Sequence, residues 1–236
     1  MTLKIEFATG EANQQISYLV QDIYRRLYDC YGHQYWWPAD EPFEVMVGAV
    51  LTQSTAWVNV EKAIANLKAA GVLSPGALRR LTLSELATLI RPSGYYNAKA
   101  RKLQALVRWI GEYGNDNLDE LFDHSIDKLR QQLLAVWGVG PETADSIILY
   151  AANKPVFVID AYTHRIVDRI GLTPDSNSYA AYQALFMENL PADARLFNEY
   201  HALLVCLGKG VCRKQQPICQ RCCLRSRDIC KFRANG

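Results

Sequence analysis

No stretch of the 236 residues reaches the roughly 18 consecutive apolar positions that a membrane span requires. The opening segment, MTLKIEFATGEANQQ, has no apolar core of the kind that a secretory leader carries. Together these absences predict a cytoplasmic location, nucleoid-associated in a prokaryote, with no membrane partner. Charge of one sign is also scarce: 26 Lys and Arg stand against 24 Asp and Glu, a net charge of +2. So slight a net charge does not by itself establish a polyanion partner, and local clustering is more telling. Period-two strand pairs, internal repeats and low-complexity segments are all missing, which predicts an all-α fold without solenoid architecture.

Local clusters are what the chain does have. Lys99, Arg101 and Lys102 follow a turn, and Lys209, Arg213, Lys214, Arg221, Arg225, Arg227, Lys231 and Arg233 crowd the C-terminus. Of seven cysteines, Cys30 and Cys206 stand apart and five fall between Cys212 and Cys230. In a reducing compartment such crowding points to metal ligation rather than disulfides. Half of the residues are apolar, enough for one large domain or two small lobes.

Helical periodicity runs through most of the chain. Residues 13–32 place Ile16, Leu19, Val20, Ile23, Tyr24 and Leu27 on one face, and Gly32 ends the helix. A polar-aromatic loop, His33 to Pro38, follows. The segment from Pro42 supports two helices separated near Leu51 to Ala56, and Leu67 to Pro75 reads as a loop. Thr82 with Glu85 opens a short capped helix. The Arg91-Pro92-Ser93-Gly94 break precedes a helix over residues 95–113, and Ser125 to Leu134 forms another. The rest is helical to about Gly208, apart from loops at Asn153–Pro155 and Thr173–Ser178.

The organising stretch runs from Leu133 to Arg169. Gly138-Val139-Gly140 lies between two helical patterns, and Pro141 suits the first turn of the second. Such a turn directs backbone N–H groups outward beside a helix N-terminus, an arrangement suited to a phosphate oxygen. Asp160 follows the apolar run Val156 to Ile159 and is placed to N-cap the next helix. Gly-Val-Gly with its helix, then Val-Ile-Asp-Ala-Tyr-Thr-His-Arg, resembles the signature of the endonuclease III superfamily of helix-hairpin-helix DNA glycosylases. That resemblance implies a two-lobed fold. A six-helix barrel would span residues 39–150; residues 1–38 with 151–236 would form a second lobe. It further implies that Asp160 is the catalytic carboxylate, facing the cleft between the lobes, and that Gly138, Val139 and Gly140 grip the DNA backbone.

The C-x6-C-x2-C-x7-C spacing of Cys212, Cys219, Cys222 and Cys230 resembles the family's [4Fe-4S] loop, although the family's last gap is usually shorter. Zinc is the alternative for four thiolates, and Cys223 competes with Cys222 for the third place. Bifunctional members carry a strand-cutting lysine eighteen residues ahead of the aspartate, where this chain has Glu142. A carboxylate forms no Schiff base, so a monofunctional enzyme is expected. Leu51-Thr52-Gln53-Ser54 resembles the segment whose glutamine fills the emptied base stack, giving Gln53 that role. Arg91 to Ala100 resembles the loop that wedges the opposite strand, with Ile90, Arg91 or Pro92 as the wedge and Lys99 and Lys102 near phosphates.

Trp36-Trp37-Pro38, LTQSTAWVNVEKAI and Glu142 are similar to the 3-methyladenine glycosylases of the superfamily. Facing aromatic planes attract a cationic alkylpurine by about 0.5–2 kcal/mol each, and Glu142 would add to that preference. The implied activity is hydrolysis of the N-glycosidic bond of alkylated purines in double-stranded DNA by a monomer. Two other readings fit parts of the pattern: a monofunctional thymine or uracil glycosylase acting opposite guanine, and a non-catalytic protein that binds damaged DNA. His201 reads as a structural histidine, placed with Cys206 and Lys209 on the cleft side.

Overall fold

The computed structural model describes residues 9–226 and 229–232, so Arg227 and Arg233 of the basic tail lie outside the described residues. Every regular element among those residues is helical. The chain separates into two compact units: Trp37–Val156, and the remainder formed by the segment up to Trp36 together with that from Phe157 onward. The divisions fall at 36/37 and 156/157 rather than at 38/39 and 150/151.

The continuous unit holds α2 (Pro42–Leu51), α3 (Trp57–Ala69), α4 (Pro75–Arg80), α5 (Leu83–Leu89), α6 (Tyr96–Gly114), α7 (Leu118–Phe122), α8 (Ile126–Ala135) and α9 (Pro141–Ser146). Six of these match the expected barrel helices; α4 and α7 are additions of one to two turns. Pro75 at the first turn starts α4, and the Asn117 side chain caps α7 by accepting from Asp119 N–H at 3.0 Å. Helices this short carry no periodic stripe, and only tertiary burial of Leu78 and Leu121 fixes them. The expected capping box is present at α5, where Thr82 and Glu85 each accept the other's backbone N–H.

Nine of the ten residues of α2 are buried, so α2 is the central rod of this unit. Around it pack Val60, Leu67, Leu103, Val107, Leu133 and Ile148. After α9 the helix widens into a π turn over Ile147–Ala151, and Ala152 N–H reaches back to Ile147 O at 3.1 Å.

The second unit contains α1 (Thr9–Tyr31), α10 (Ala161–Ile170), α11 (Tyr179–Met187) and α12 (Ala194–Gly210). Val20, Ile23 and Leu27 of α1 are buried as the periodicity predicts, and Gly32 closes the helix with a positive φ of 67°. Its core is aromatic. Phe157 stacks on Phe186 at 4.0 Å between ring centroids and meets Phe197 and Tyr200 edge-on. Helices α10 and α12 cross at Gly208, where an added Cβ would fall 2.6 Å from the Tyr162 ring. That close crossing sets α12, and with it His201, against the start of α10.

Candidate active site and nucleic-acid interface

Asp160 ends an extended run and starts α10. Its Oδ1 accepts the Thr163 backbone N–H at 2.7 Å, a direct N-cap. The other oxygen, Oδ2, faces His201 Nε2 at 3.8 Å. The carboxylate is thus both a cap and a group with one oxygen left for other work. His201 comes from the buried middle of α12; burial pushes its pKa below 6.5, against the opposing pull of Asp160. At neutral pH the imidazole therefore carries no charge, and it does not cancel the carboxylate beside it.

Trp36 lies in the same unit, with the Lys209 ammonium 5.9 Å from its ring centroid. Glu199, buried on α12, orders the preceding loop: it accepts Gln34 N–H at 2.8 Å and contacts His33 Nε2 at 3.2 Å. Trp37 begins the other unit. Its ring meets Trp57 edge-on at 5.1 Å, tilts against Tyr150 at 5.2 Å, and presses on Gly48, where a Cβ would approach to 3.0 Å. Trp37 is therefore a rigidly supported plane, half-buried, while Pro38 is exposed.

The hairpin is braced from within. Arg130 of α8 donates to both oxygens of the fully buried Asp145 on α9, at 2.7 and 3.3 Å. Gly138 takes φ 83° and rests against the stem of Lys102, whereas space beside Gly140 is open. Val139, expected with Gly138 and Gly140 in the DNA-gripping tip, is placed differently from the two glycines. Its N–H donates to Val136 O at 3.1 Å and its side chain is buried. Val139 thus anchors the tip, while Gly138 and Gly140 are half-buried. Glu142 is exposed on the first turn of α9.

Gln53 is drawn onto this hairpin. Its amide donates to Gly138 O at 3.2 Å and to Thr143 Oγ1 at 2.9 Å, and accepts from Lys102 Nζ. Lys99 is a correction to the sequence reading. The side chain is only 2 % exposed, with Nζ donating to Leu51 O at 2.8 Å and Ser93 O at 2.6 Å. It cannot reach a phosphate; it is an internal clamp between the Gln53 loop and the Arg91–Gly94 turn. Thr55 Oγ1 adds a further bond to Ser93 O, so the two loops move as one piece. Burial, then the neighbouring Lys102 charge, lowers the Lys99 pKa to about 8.

Among the wedge candidates Ile90 is fully buried and cannot enter a base stack. Arg91 is exposed and Pro92 half-buried, and beside them Tyr95 also projects, 74 % exposed and held at φ 44° behind Gly94. The periodicity counts Tyr95 as the first residue of the helix over 95–113, whereas the helix starts at Tyr96; the preceding glycine is the signal for the sharp turn.

In the cysteine loop, Arg169 near the end of α10 donates to Cys212 Sγ at 3.2 Å and to Arg213 O and Lys214 O at 2.7 and 3.1 Å. Arg165 holds Cys212 O at 3.0 Å. Burial, and after it the proximity of Cys212, Cys230 and Cys219, pushes the Cys222 thiol up to about 11. These four thiols share one neighbourhood, although among the described residues no three potential ligands converge on a single-ion site. Cys223 belongs elsewhere: burial and a hydrogen bond with Cys30 push its thiol up to about 12. Cys222 rather than Cys223 therefore faces the loop cysteines.

Comparison with known proteins agrees with this geometry. Residues 47–192 match the HhH-GPD superfamily of base excision DNA repair proteins. A candidate DNA repair glycosylase of Methanocaldococcus jannaschii is 44% identical over 205 residues, covering 86% of this chain and 93% of its own. Endonuclease III of Thermotoga maritima is 31% identical, covering 81% and 84%. Among solved structures, the 3-methyladenine DNA glycosylase of H. pylori bound to 1,N6-ethenoadenine superposes with a TM-score of 0.70 at 27% identity, covering 84% of this chain and 97% of that one. An endonuclease III–DNA complex shares the fold at a TM-score of 0.75, 24% identity and coverage of 93% and 95%. Hairpin, capped aspartate and sequence match together make the chain a DNA glycosylase of the HhH-GPD superfamily of base excision repair proteins.

Proposed function

We propose that this glycosylase is monofunctional and removes alkylated purines such as 3-methyladenine from double-stranded DNA. The observation that carries the monofunctional reading is the amine inventory around the hairpin. Glu142 stands where a Schiff-base lysine would be, Lys99 is buried on two carbonyls, and Lys102 is bound to Gln53. None of these is an exposed, unengaged nucleophile.

In the proposed reaction the damaged nucleotide is flipped from the duplex, and Trp36 and Trp37 receive its cationic base. Gln53 leaves its hairpin bonds to fill the stack, Tyr95 wedges the opposite strand, and Gly138 and Gly140 hold the backbone phosphates. Departure of the neutral purine leaves positive charge on the sugar. The Asp160 carboxylate stabilises that charge and orients the water that adds to the anomeric carbon and then loses its extra proton to surrounding water. Neutral His201 keeps the carboxylate charge uncompensated. The likeness to the alkylbase enzyme of H. pylori supports this substrate class.

Release of 3-methyladenine from methylated DNA, without strand cutting and without a borohydride-trapped adduct, is the expected result. Release of thymine or uracil from G·T or G·U duplexes instead, or a trapped adduct, would overturn the reading.

A pH dependence follows from His201. A histidine whose pKa is lowered on folding binds fewer protons in the native state, so stability falls as pH drops below 6.5. The same protonation places an imidazolium beside Asp160. Single-turnover base release should decline on that acid side, and His201→Gln should weaken the decline; an identical profile in the variant would remove His201 from the argument.

We assign Cys212, Cys219, Cys222 and Cys230 to a [4Fe-4S] cluster. Four clustered thiols and a guanidinium donating to Cys212 suit such a group. The cluster would supply a rigid cross-link for the loop that Arg165 and Arg169 tie to α10. Protein purified without air should contain four irons and four sulfides per chain; stoichiometric zinc would reject the assignment.

A further inference from the structure

A groove of about 480 Å³ lies within the continuous unit, between α6 and the hairpin arm α8. That volume falls inside the roughly 300–1,000 Å³ of small-molecule sites. Arg108, Trp109, Glu112 and Tyr113 line one side, Gln132 and Trp137 the other. The lining is unusual in two ways. Trp137 and Tyr113 are 56 % and 57 % exposed, a large aromatic area left against solvent. Trp109 is 5 % exposed, and its indole N–H and the Gln132 carbonyl oxygen are both closed off from water without a hydrogen-bond partner. A buried donor and a buried acceptor left unpaired are costly, and native interiors rarely retain them.

We propose that this groove is a second nucleobase site, which takes an unpaired base from the DNA strand held by the hairpin. The inference rests on the DNA-binding reading above and extends it to a surface that base excision does not use. Three features select a base. Exposed aromatic faces stack on any nucleobase. Trp109 and Gln132 line the same groove, so a stacked base lies beside the two residues whose polar atoms lack partners, and its edge offers both a donor and an acceptor. Arg108 adds a cation for the attached phosphate, with Glu112 one turn away limiting attraction to polyanions in general. Trp137 is also the residue directly before Gly138, so the groove continues from the phosphate-holding tip.

The test compares two duplexes of the same sequence, fully paired or with a single adenine bulge, by fluorescence anisotropy on the full-length protein. The bulged duplex should bind about tenfold tighter. Trp137→Ala and Tyr113→Ala, both at exposed positions, should abolish that preference while leaving paired-duplex affinity and 3-methyladenine release unchanged. The Trp109 indole N–H resonance, assigned with Trp109→Phe, should shift with the bulged duplex only. A bulge preference that survives both alanine variants, or an unmoved Trp109 resonance, overturns the proposal and leaves excision untouched. A preference that depends on Trp137 in a protein releasing no base would uphold the groove and reject the excision reading instead.

Discussion

Asp160→Asn should lower single-turnover base release by about 10²–10⁴-fold while the protein stays folded and bound to DNA. The range corresponds to about 2.7–5.5 kcal/mol of transition-state stabilisation. The substitution is informative because Asp160 has two duties. As a cap, its Oδ1 accepts Thr163 N–H, and asparagine performs that task as well as aspartate does. As a charge, it has no neutral substitute: an amide cannot stabilise a developing oxocarbenium as a carboxylate does. Loss of the negative charge at the α10 N-terminus costs only about 0.3–1 kcal/mol through the helix dipole. Its removal near the DNA phosphates would, if anything, tighten binding. Asp160→Ala separates the duties further, because it loses the cap as well and should unfold about 1 kcal/mol more easily. An Asp160→Asn protein that released base within about tenfold of the parent rate would reduce Asp160 to a cap, since one lost electrostatic stabiliser costs more than that.

The sequence and the structure agree where a residue's role follows from its neighbours along the chain. Asp160 at the end of an apolar run, Thr82 with Glu85, and Gly32 after a periodic stripe are local patterns, and each forms the expected element. Disagreement begins where side chains cross between elements. A lysine just after a turn reads as solvent-facing, but Lys99 is folded inward, where its ammonium donates to the carbonyls of Leu51 and Ser93. Val139 sits between two glycines and looks equally open, yet its apolar side chain is drawn into the core. Spacing alone leaves Cys222 and Cys223 equivalent; only the position of Cys30 on α1, far away in sequence, separates them. Tyr95, counted with the helix over 95–113, lies instead just ahead of it. Burial is the usual fate of tyrosine beside a helix, and the left-handed turn that turns it outward is a tertiary outcome.

Arg130→Ala should destabilise the protein by about 3–5 kcal/mol, a large share of the roughly 5–15 kcal/mol available to a domain. Asp145 is completely buried, and Arg130, 30% exposed at its side chain, supplies two charge-assisted bonds to it. Removing the guanidinium takes two charge-assisted bonds from a carboxylate held in a low-dielectric interior, where its desolvation is then less well offset. The pair joins α8 to α9, so its loss loosens the two arms that set the Gly138–Gly140 tip. DNA affinity should therefore weaken even at temperatures where the variant remains folded. A double variant, Arg130→Met with Asp145→Leu, replaces the pair by apolar groups of similar size. It should recover most of the lost stability, because a buried ion pair is worth little more than well-packed hydrophobic side chains. Urea unfolding of the parent, both single variants and the double variant closes the cycle. Additive losses would mean that the two residues act independently, and the hairpin would then owe its shape to the packing of Leu129, Leu133 and Ala144 alone.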